Sequence, residues 1–174
     1  MKTTTSFDKG YDFNLRAKLT DDFIQETLNI YKPDYIFLKE AYWESNELIG
    51  RFQLRHNQYT KEEFIDYITA STLILYLSQL SYVLGRLITV ENPSRSDLKI
   101  TIDKYIEIRD KGNFLITNLS GLKFNKKIFL NMNELSIKLK CNRIHKINGN
   151  YLGEFEFVVE DGCANGRLNI AMIS

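Results

Sequence analysis

Cysteine and histidine are scarce in this chain. Its 174 residues hold two of each: Cys141, Cys163, His56 and His145. Neither cysteine belongs to a Cys-x-x-Cys pair, so no metal site is expected, and nothing in the spacing demands a disulfide. Two histidines do not support a Ser-His-Asp arrangement, and no glycine-rich phosphate loop is present. An excess of one charge is lacking too: Lys+Arg is 23, Asp+Glu is 22, and the net charge is +1. That balance leaves no electrostatic footprint for nucleic acid. The local cluster Lys123, Lys126 and Lys127 reads as a solvated hairpin. Met1 to Lys9 shows no apolar run and no cleavage pattern, so a cytoplasmic location is expected. Internal repeats and low-complexity segments are absent from the sequence.

What is there suits an ordinary folded domain. The chain is 44% hydrophobic, 26% charged and 13% aromatic. That length and composition predict a polar arm over residues 1–18 and a single domain over 19–174. Thr20 has the character of an N-cap, Asp21 and Asp22 suit a first helical turn, and Phe23, Ile24, Thr27, Leu28 and Tyr31 recur at helical spacing until Pro33. Tyr35 to Trp43 and Leu48 to Leu54 read as two strands of a hairpin, broken at Glu44, Ser45 and Asn46.

The dominant feature is the apolar stretch that follows. Thr60 and Glu63 have capping-box spacing, and helical signals run to Ile88. A continuous helix of that length would reach roughly 40 Å, which predicts a break between Asp66 and Thr69, with Thr69 capping the buried part. Thr69, Ser71, Thr72, Ser78, Gln79 and Ser81 interrupt the apolar run, so it is expected to be a buried core helix and not a membrane span. Ile102, Tyr105, Ile106 and Arg109 suit a short amphipathic helix, and Phe114 to Asn118 a strand. Met132 to Ile144 alternates: Leu135, Ile137, Leu139 and Cys141 face one way, Ser136, Lys138, Lys140 and Asn142 the other. Asn148-Gly149-Asn150 is a hairpin turn, Tyr151 to Val159 a strand, Asp161-Gly162 a second turn, and Ala164 to Ile173 the last strand.

One long apolar helix between an early hairpin and a late meander is an α+β layout. The helix can bury most of its faces only if an antiparallel sheet curls around it. The expected architecture is therefore the hot-dog fold.

Gly50-Arg51-Phe52-Gln53-Leu54, Gln58-Tyr59 and the run from Thr69 to Tyr82, with its Leu-Ile-Leu core and Gln79-Leu80-Ser81-Tyr82, resemble the FcoT-type thioesterase family. The element order agrees from about Tyr31 to the C-terminus. The resemblance implies a hot-dog protein, a homodimer or higher homo-oligomer, acting on a long-chain acyl-CoA or acyl-carrier-protein thioester without a cofactor. It also implies an acyl carrier protein as a partner. Some relatives instead add glycine to an enoyl-carrier-protein thioester in isonitrile lipopeptide synthesis. The family's tyrosines are matched by Tyr31, Tyr59 and Tyr82. Its two asparagines, one at the helix entrance and one further along, are replaced here by Thr69 and Ser78. Dehydratase hot-dogs pair a histidine with a helix carboxylate, and Thr72 stands in that position here, which disfavours dehydration.

The chemistry expected of such a site follows from its charges. A thioester carbonyl gains negative charge when attacked, and a helix N-terminus offers free N–H groups and a positive dipole end. Thr69 and the amides of Ala70, Ser71 and Thr72 are the candidate oxygen-binding group. Tyr59 would orient the carbonyl or a water, with Asp66 or His56 as base. Tyr31, Ser78 and Tyr82 are candidate substrate contacts. Arg51 or Arg55 would hold a glycine carboxylate in the glycine-adding alternative. Cys163, beside Gly162, lacks an evident basic partner, and Cys141 reads as core. Three readings stay open: thioester hydrolysis, glycine addition and non-catalytic acyl binding.

Overall fold

The computed structural model describes residues 17–44, 47–54, 66–92, 96–130 and 132–174. The arm up to residue 16, the Thr60–Glu63 cap, and Tyr59, His56 and Arg55 lie outside the described residues.

Helix α1 (Asp21–Leu28) starts where its cap predicts. Thr20 is extended, and its hydroxyl accepts the Phe23 N–H at 3.2 Å. Phe23, Ile24, Thr27 and Leu28 are buried. The helix stops at Leu28, short of Tyr31, and a 3-10 turn spans Pro33–Tyr35. Tyr35 therefore belongs to that turn, and strand β2 (Leu38–Glu44) begins later than the expected strand. β2 pairs antiparallel with β3 (Glu47–Gln53), with Ala41 opposite Gly50 and Tyr42 opposite Ile49. Ala17 and Lys18, assigned by composition to the arm, form strand β1 instead, opposite Trp43 and Tyr42. Composition does not register that β2 offers edge N–H and C=O groups that need partners.

The break before the central helix is present. Tyr67 bridges antiparallel to Phe129. Ile68 N donates to Ile128 O at 2.8 Å, and Leu130 N to Asp66 O at 2.7 Å. These bonds hold the backbone extended, so helix α2 (Ala70–Arg86) starts only after Thr69. It runs on into a π-helical turn, Leu87–Glu91. Ala70–Glu91 is long and apolar enough to cross a bilayer, but 72% of its most apolar window is buried inside the domain. It is the core helix that the interrupted apolar pattern predicted.

Helix α3 (Ile102–Asp110) is capped by Thr101, whose hydroxyl accepts from Lys104 N at 3.2 Å. Its Arg109 donates to Glu26 O at 2.6 Å and to Thr27 O at 3.2 Å. Arg86 of α2 reaches the Thr27 hydroxyl at 3.0 Å. Two buried guanidinium groups thus serve the C-terminal end of α1, where free carbonyls and the dipole favour cations.

The remaining strands are β4 (Phe114–Phe124), β5 (Glu134–Ile147), β6 (Asn150–Val159) and β7 (Ala164–Met172). The sheet order is β1-β2-β3-β5-β6-β7-β4, antiparallel throughout. β5 joins the early hairpin to the meander, with Leu48 opposite Leu139 and Phe52 opposite Leu135. Leu135, Ile137 and Leu139 are buried and Lys138 and Lys140 exposed, as their alternation predicts. A register shift between Cys141 and Arg143 ends that pattern, and both cysteines are half-buried and outside any disulfide. The β5–β6 turn has φ of 50° at Asn148 and 83° at Gly149, the two successive positive values that an Asn-Gly hairpin supplies. β4 extends past the expected Asn118 to Phe124, so Lys123 lies in a strand; it is exposed, as are Lys126 and Lys127.

The curl of the sheet can be read from two aromatic stacks. Tyr76 of α2 stacks on Phe52 of β3 at 4.9 Å, and Tyr82 on Phe114 of β4 at 4.5 Å. In a flat sheet β3 and β4 would lie about 19 Å apart, whereas Tyr76 and Tyr82 are separated by about 9 Å along the helix. One helix meets both strands because the sheet wraps around it.

Candidate functional site

The helix entrance is built from three hydroxyls. Thr69 Oγ1 lies 2.8 Å from Ser71 Oγ and 3.1 Å from Thr72 Oγ1. It also accepts the Thr72 N–H at 3.4 Å. This corrects one expectation: the Thr72 amide is taken by the cap and is not free for a ligand. The N–H groups of Ala70 and Ser71 have no acceptor among the described residues, and both residues are exposed. The entrance therefore keeps two unused donors at the positive end of a 17-residue helix. Asp66, the proposed base, is exposed beside it, with its backbone carbonyl held by Leu130 N.

A second group sits about 13 Å further along the axis at the rise of an α-helix. Tyr31 Oη and Ser78 Oγ are 2.9 Å apart. The Tyr31 ring meets Tyr82 edge-on at 6.1 Å. Burial pushes the Tyr31 phenol up, and the hydrogen bond to Ser78 offsets part of that. Tyr82 is pushed up to about 12, chiefly by burial and then by Tyr31 beside it. Both phenols are thus neutral hydrogen-bonding groups at neutral pH, not bases.

The structure therefore divides the candidate residues. Thr69, Ala70, Ser71, Thr72 and Asp66 gather at the entrance, while Tyr31, Ser78 and Tyr82 form a separate cluster. Among the described residues, no histidine or carboxylate is hydrogen-bonded to either group of hydroxyls. His145 lies in β5 opposite Leu152. Arg51 is turned away from α2: it lies between buried Gly50 and Phe52, is exposed, and is 3.5 Å from Glu40. That corrects its expected role, because alternation in β3 puts it on the convex face.

In the sequence Gln79 shows only as a polar interruption of the helix; its role depends on partners more than 40 residues away. It is fully buried and accepts from Phe37 N at 3.0 Å and Leu38 N at 3.1 Å, while donating to Tyr35 O at 2.6 Å. It is the single amide side chain in α2, and the segment leading into β2 takes it up. Tyr151 was also missed, although its inward parity with Phe155 and Phe157 was available from the strand alternation. α2 carries no Asp or Glu. Leu73, Leu77 and Leu80 of α2 are buried in the core.

No protein-family model and no curated protein matches the sequence. Solved structures do. The dehydratase domain of RzxB from Pseudomonas fluorescens superposes with a TM-score of 0.55 at 11% identity, covering 89% of this chain and 49% of that one. GphF dehydratase 1 gives a TM-score of 0.56 at 12% identity, over 91% of this chain and 54% of that one. A thioesterase from Thermus thermophilus, solved with coenzyme A and zinc, aligns at a TM-score of 0.46 and 12% identity, over 71% and 78%. The chain spans about half the length of the two dehydratase chains. At these identities the likeness to the two dehydratases speaks to architecture alone: a curved antiparallel sheet wrapped on a central helix, which is the hot-dog fold.

Proposed function

We propose that this protein processes an acyl thioester, hydrolysing a fatty acyl-CoA or acyl-carrier-protein substrate. The observation that carries the reading is the entrance of α2. The adjacent N–H groups of Ala70 and Ser71, both exposed residues, have no acceptor among the described residues and lie at the positive end of the core helix. Donors already fixed in place stabilise an oxyanion without reorganising when charge develops. Thr69 holds the first turn through Thr72, and Asp66, exposed and three residues before Thr69, is the proposed carboxylate for water. Tyr59 and His56 complete the proposed set, and Tyr31, Ser78 and Tyr82 contact the substrate. The protein acts as a homo-oligomer, with an acyl carrier protein as an alternative carrier to coenzyme A. The absence of any carboxylate from α2 weighs against dehydration by a histidine–carboxylate pair. Arg51 on the convex face weighs against glycine addition, although Arg55 is still a candidate for that role.

A second reading, non-catalytic acyl binding, is favoured by one observation. No described base touches the hydroxyls of either cluster.

Proline provides a clean test. Ala70 is the first residue of α2, a position that tolerates proline because its N–H has no intrahelical partner. Thr69, with φ −92° and ψ 166°, already has the conformation a following proline requires. Ala70→Pro deletes one donor and leaves the helix standing. Mass spectrometry with saturated and 2-enoyl thioesters, with and without glycine, should show free acid and thiol from the parent. The variant should be roughly 100-fold slower with its melting temperature unchanged. A glycine adduct on its carrier would replace hydrolysis by the glycine-adding reaction, and a retained acyl ligand without turnover would select the binding reading.

A further inference from the structure

The segment that leads into α2 is one half of a short antiparallel ladder. Tyr67 pairs with Phe129, and Ile68 N donates to Ile128 O at 2.8 Å. Side chains alternate across such a ladder, and burial follows the alternation. Ile68 and Ile128 point into the core, each 2% exposed. Tyr67 and Phe129 take the other face, where Phe129 is 42% exposed. Lys127, two residues before Phe129, shares that face, and its ammonium lies 5.2 Å from the centre of the Tyr67 ring. Tyr67 stands three residues before Ala70, so its Cα is within about 11 Å of the helix entrance.

Positive charge collects beside this face. Between Asp110 and Glu134 the chain has four lysines and no acidic residue. Lys123, Lys126 and Lys127 fall within five residues, and all three are exposed. Lys18, Lys104 and Lys111 are paired with glutamates, whereas these three have no ion pair among the described residues. Phe124 and Phe129 are interleaved with them, 39% and 42% exposed. Neither phenyl ring has a ring or cation contact among the described residues. The loop between them is fixed in place: Asn125 N and Lys126 N both donate to Cys163 O, at 2.8 and 3.2 Å, and Asn125 Nδ2 donates to Gly162 O at 2.9 Å. Lysines alone describe a solvated turn. Unpaired lysines with open aromatic faces among them, on a fixed loop, suit phosphate groups joined to a flat ring.

We infer that this face binds the nucleotide end of coenzyme A, with the ammonium groups of Lys123, Lys126 and Lys127 on its phosphates and Phe129 stacked on the adenine. The inference rests on the acyl-thioester reading and deepens it: it names coenzyme A, and not a carrier protein, as the thiol carrier. The pantetheine arm then runs from the lysines to the amides of Ala70 and Ser71.

Calorimetry with adenosine 3′,5′-bisphosphate tests the site without any thioester. The parent should bind it, and more weakly as salt rises. Lys126→Gln and Lys127→Gln should each weaken binding roughly 5-fold, as for one exposed ion pair. Phe129→Ala should weaken it roughly 10-fold, as for one stacked base. Lys127→Arg and Phe129→Trp should keep most of the affinity. These side chains are exposed, so melting temperatures should change little. With acyl-CoA as substrate the weakening variants should raise KM, and the advantage of acyl-CoA over acyl-pantetheine, which has no nucleotide, should shrink. A parent that binds no bisphosphate would overturn the site, as would binding that the lysine and Phe129 variants leave unchanged. Equal KM for acyl-CoA and acyl-pantetheine would overturn the nucleotide site and leave the thioester reading standing. Bisphosphate binding that the variants weaken, in a protein that turns over no thioester, would uphold the site and reject the thioester reading alone.

Discussion

Tyr31 and Ser78 stand 47 positions apart in the chain, yet their side-chain oxygens are 2.9 Å from each other. The bond ties the segment after α1 to the outer face of α2. Breaking it from either side should cost about 0.5–1.5 kcal/mol. Tyr31→Phe and Ser78→Ala should each lower the urea midpoint, and the double variant should lose less than the sum of the two. Strict additivity would show that the pair is not coupled.

Three tyrosines make stability fall at alkaline pH. Tyr31, Tyr82 and Tyr105 all have phenols raised by burial, Tyr82 to about 12 from an ordinary 10.0. The folded state therefore holds protons that the unfolded state has already released. Stability is fully present below pH 10.0 and is lost as pH rises from there through about 12. Urea titrations across that window should show a falling unfolding free energy, with tyrosinate absorbance appearing together with unfolding.

Gln79 is expected to be among the least replaceable polar residues. Gln79→Met keeps the volume but removes the hydrogen bonds to the N–H groups of Phe37 and Leu38 and to the carbonyl of Tyr35. At about 1–3 kcal/mol for each unsatisfied group, the variant should lose about 3 kcal/mol or more. Chemical denaturation measures this directly, and a loss below about 1 kcal/mol would contradict it.

Thr69 caps the core helix through Thr72 N. Thr69→Ala should cost about 1 kcal/mol, while Thr69→Ser should retain most of the stability. Thermal unfolding of the three proteins gives the order.

Local rules account for what was legible in the residues. Thr20 and Thr69 announce their helices because a short hydroxyl side chain serves an orphan N–H two or three residues on. Leu135, Ile137 and Leu139 announce an inward face because a strand alternates with a period of two. Asn148-Gly149 announces a hairpin because few residue pairs accept two positive φ values. The break before Thr69 followed from the length of the helix alone. From these the helix-in-sheet architecture could be assembled, since an apolar helix of that length must be covered.

Other features depended on partners distant in the chain. β4 runs to Phe124 through Ser120 and Gly121, poor strand formers, because β7 offers Arg167 and Asn165 as pairing positions there. Ala17 and Lys18 became a strand because β2 had a free edge. The candidate site residues were recognisable as hydroxyl and phenol groups on one helix, but not that Tyr31, Ser78 and Tyr82 would close on one another and leave Thr69 to its own cap. Nor could the chain show that Tyr151 would be buried beside Gly85 with its hydroxyl unanswered. Capping, alternation and turn geometry are set within a few residues and so are written in the sequence itself. Which polar groups meet, and which are left without a partner, is decided only when the sheet curls around the helix.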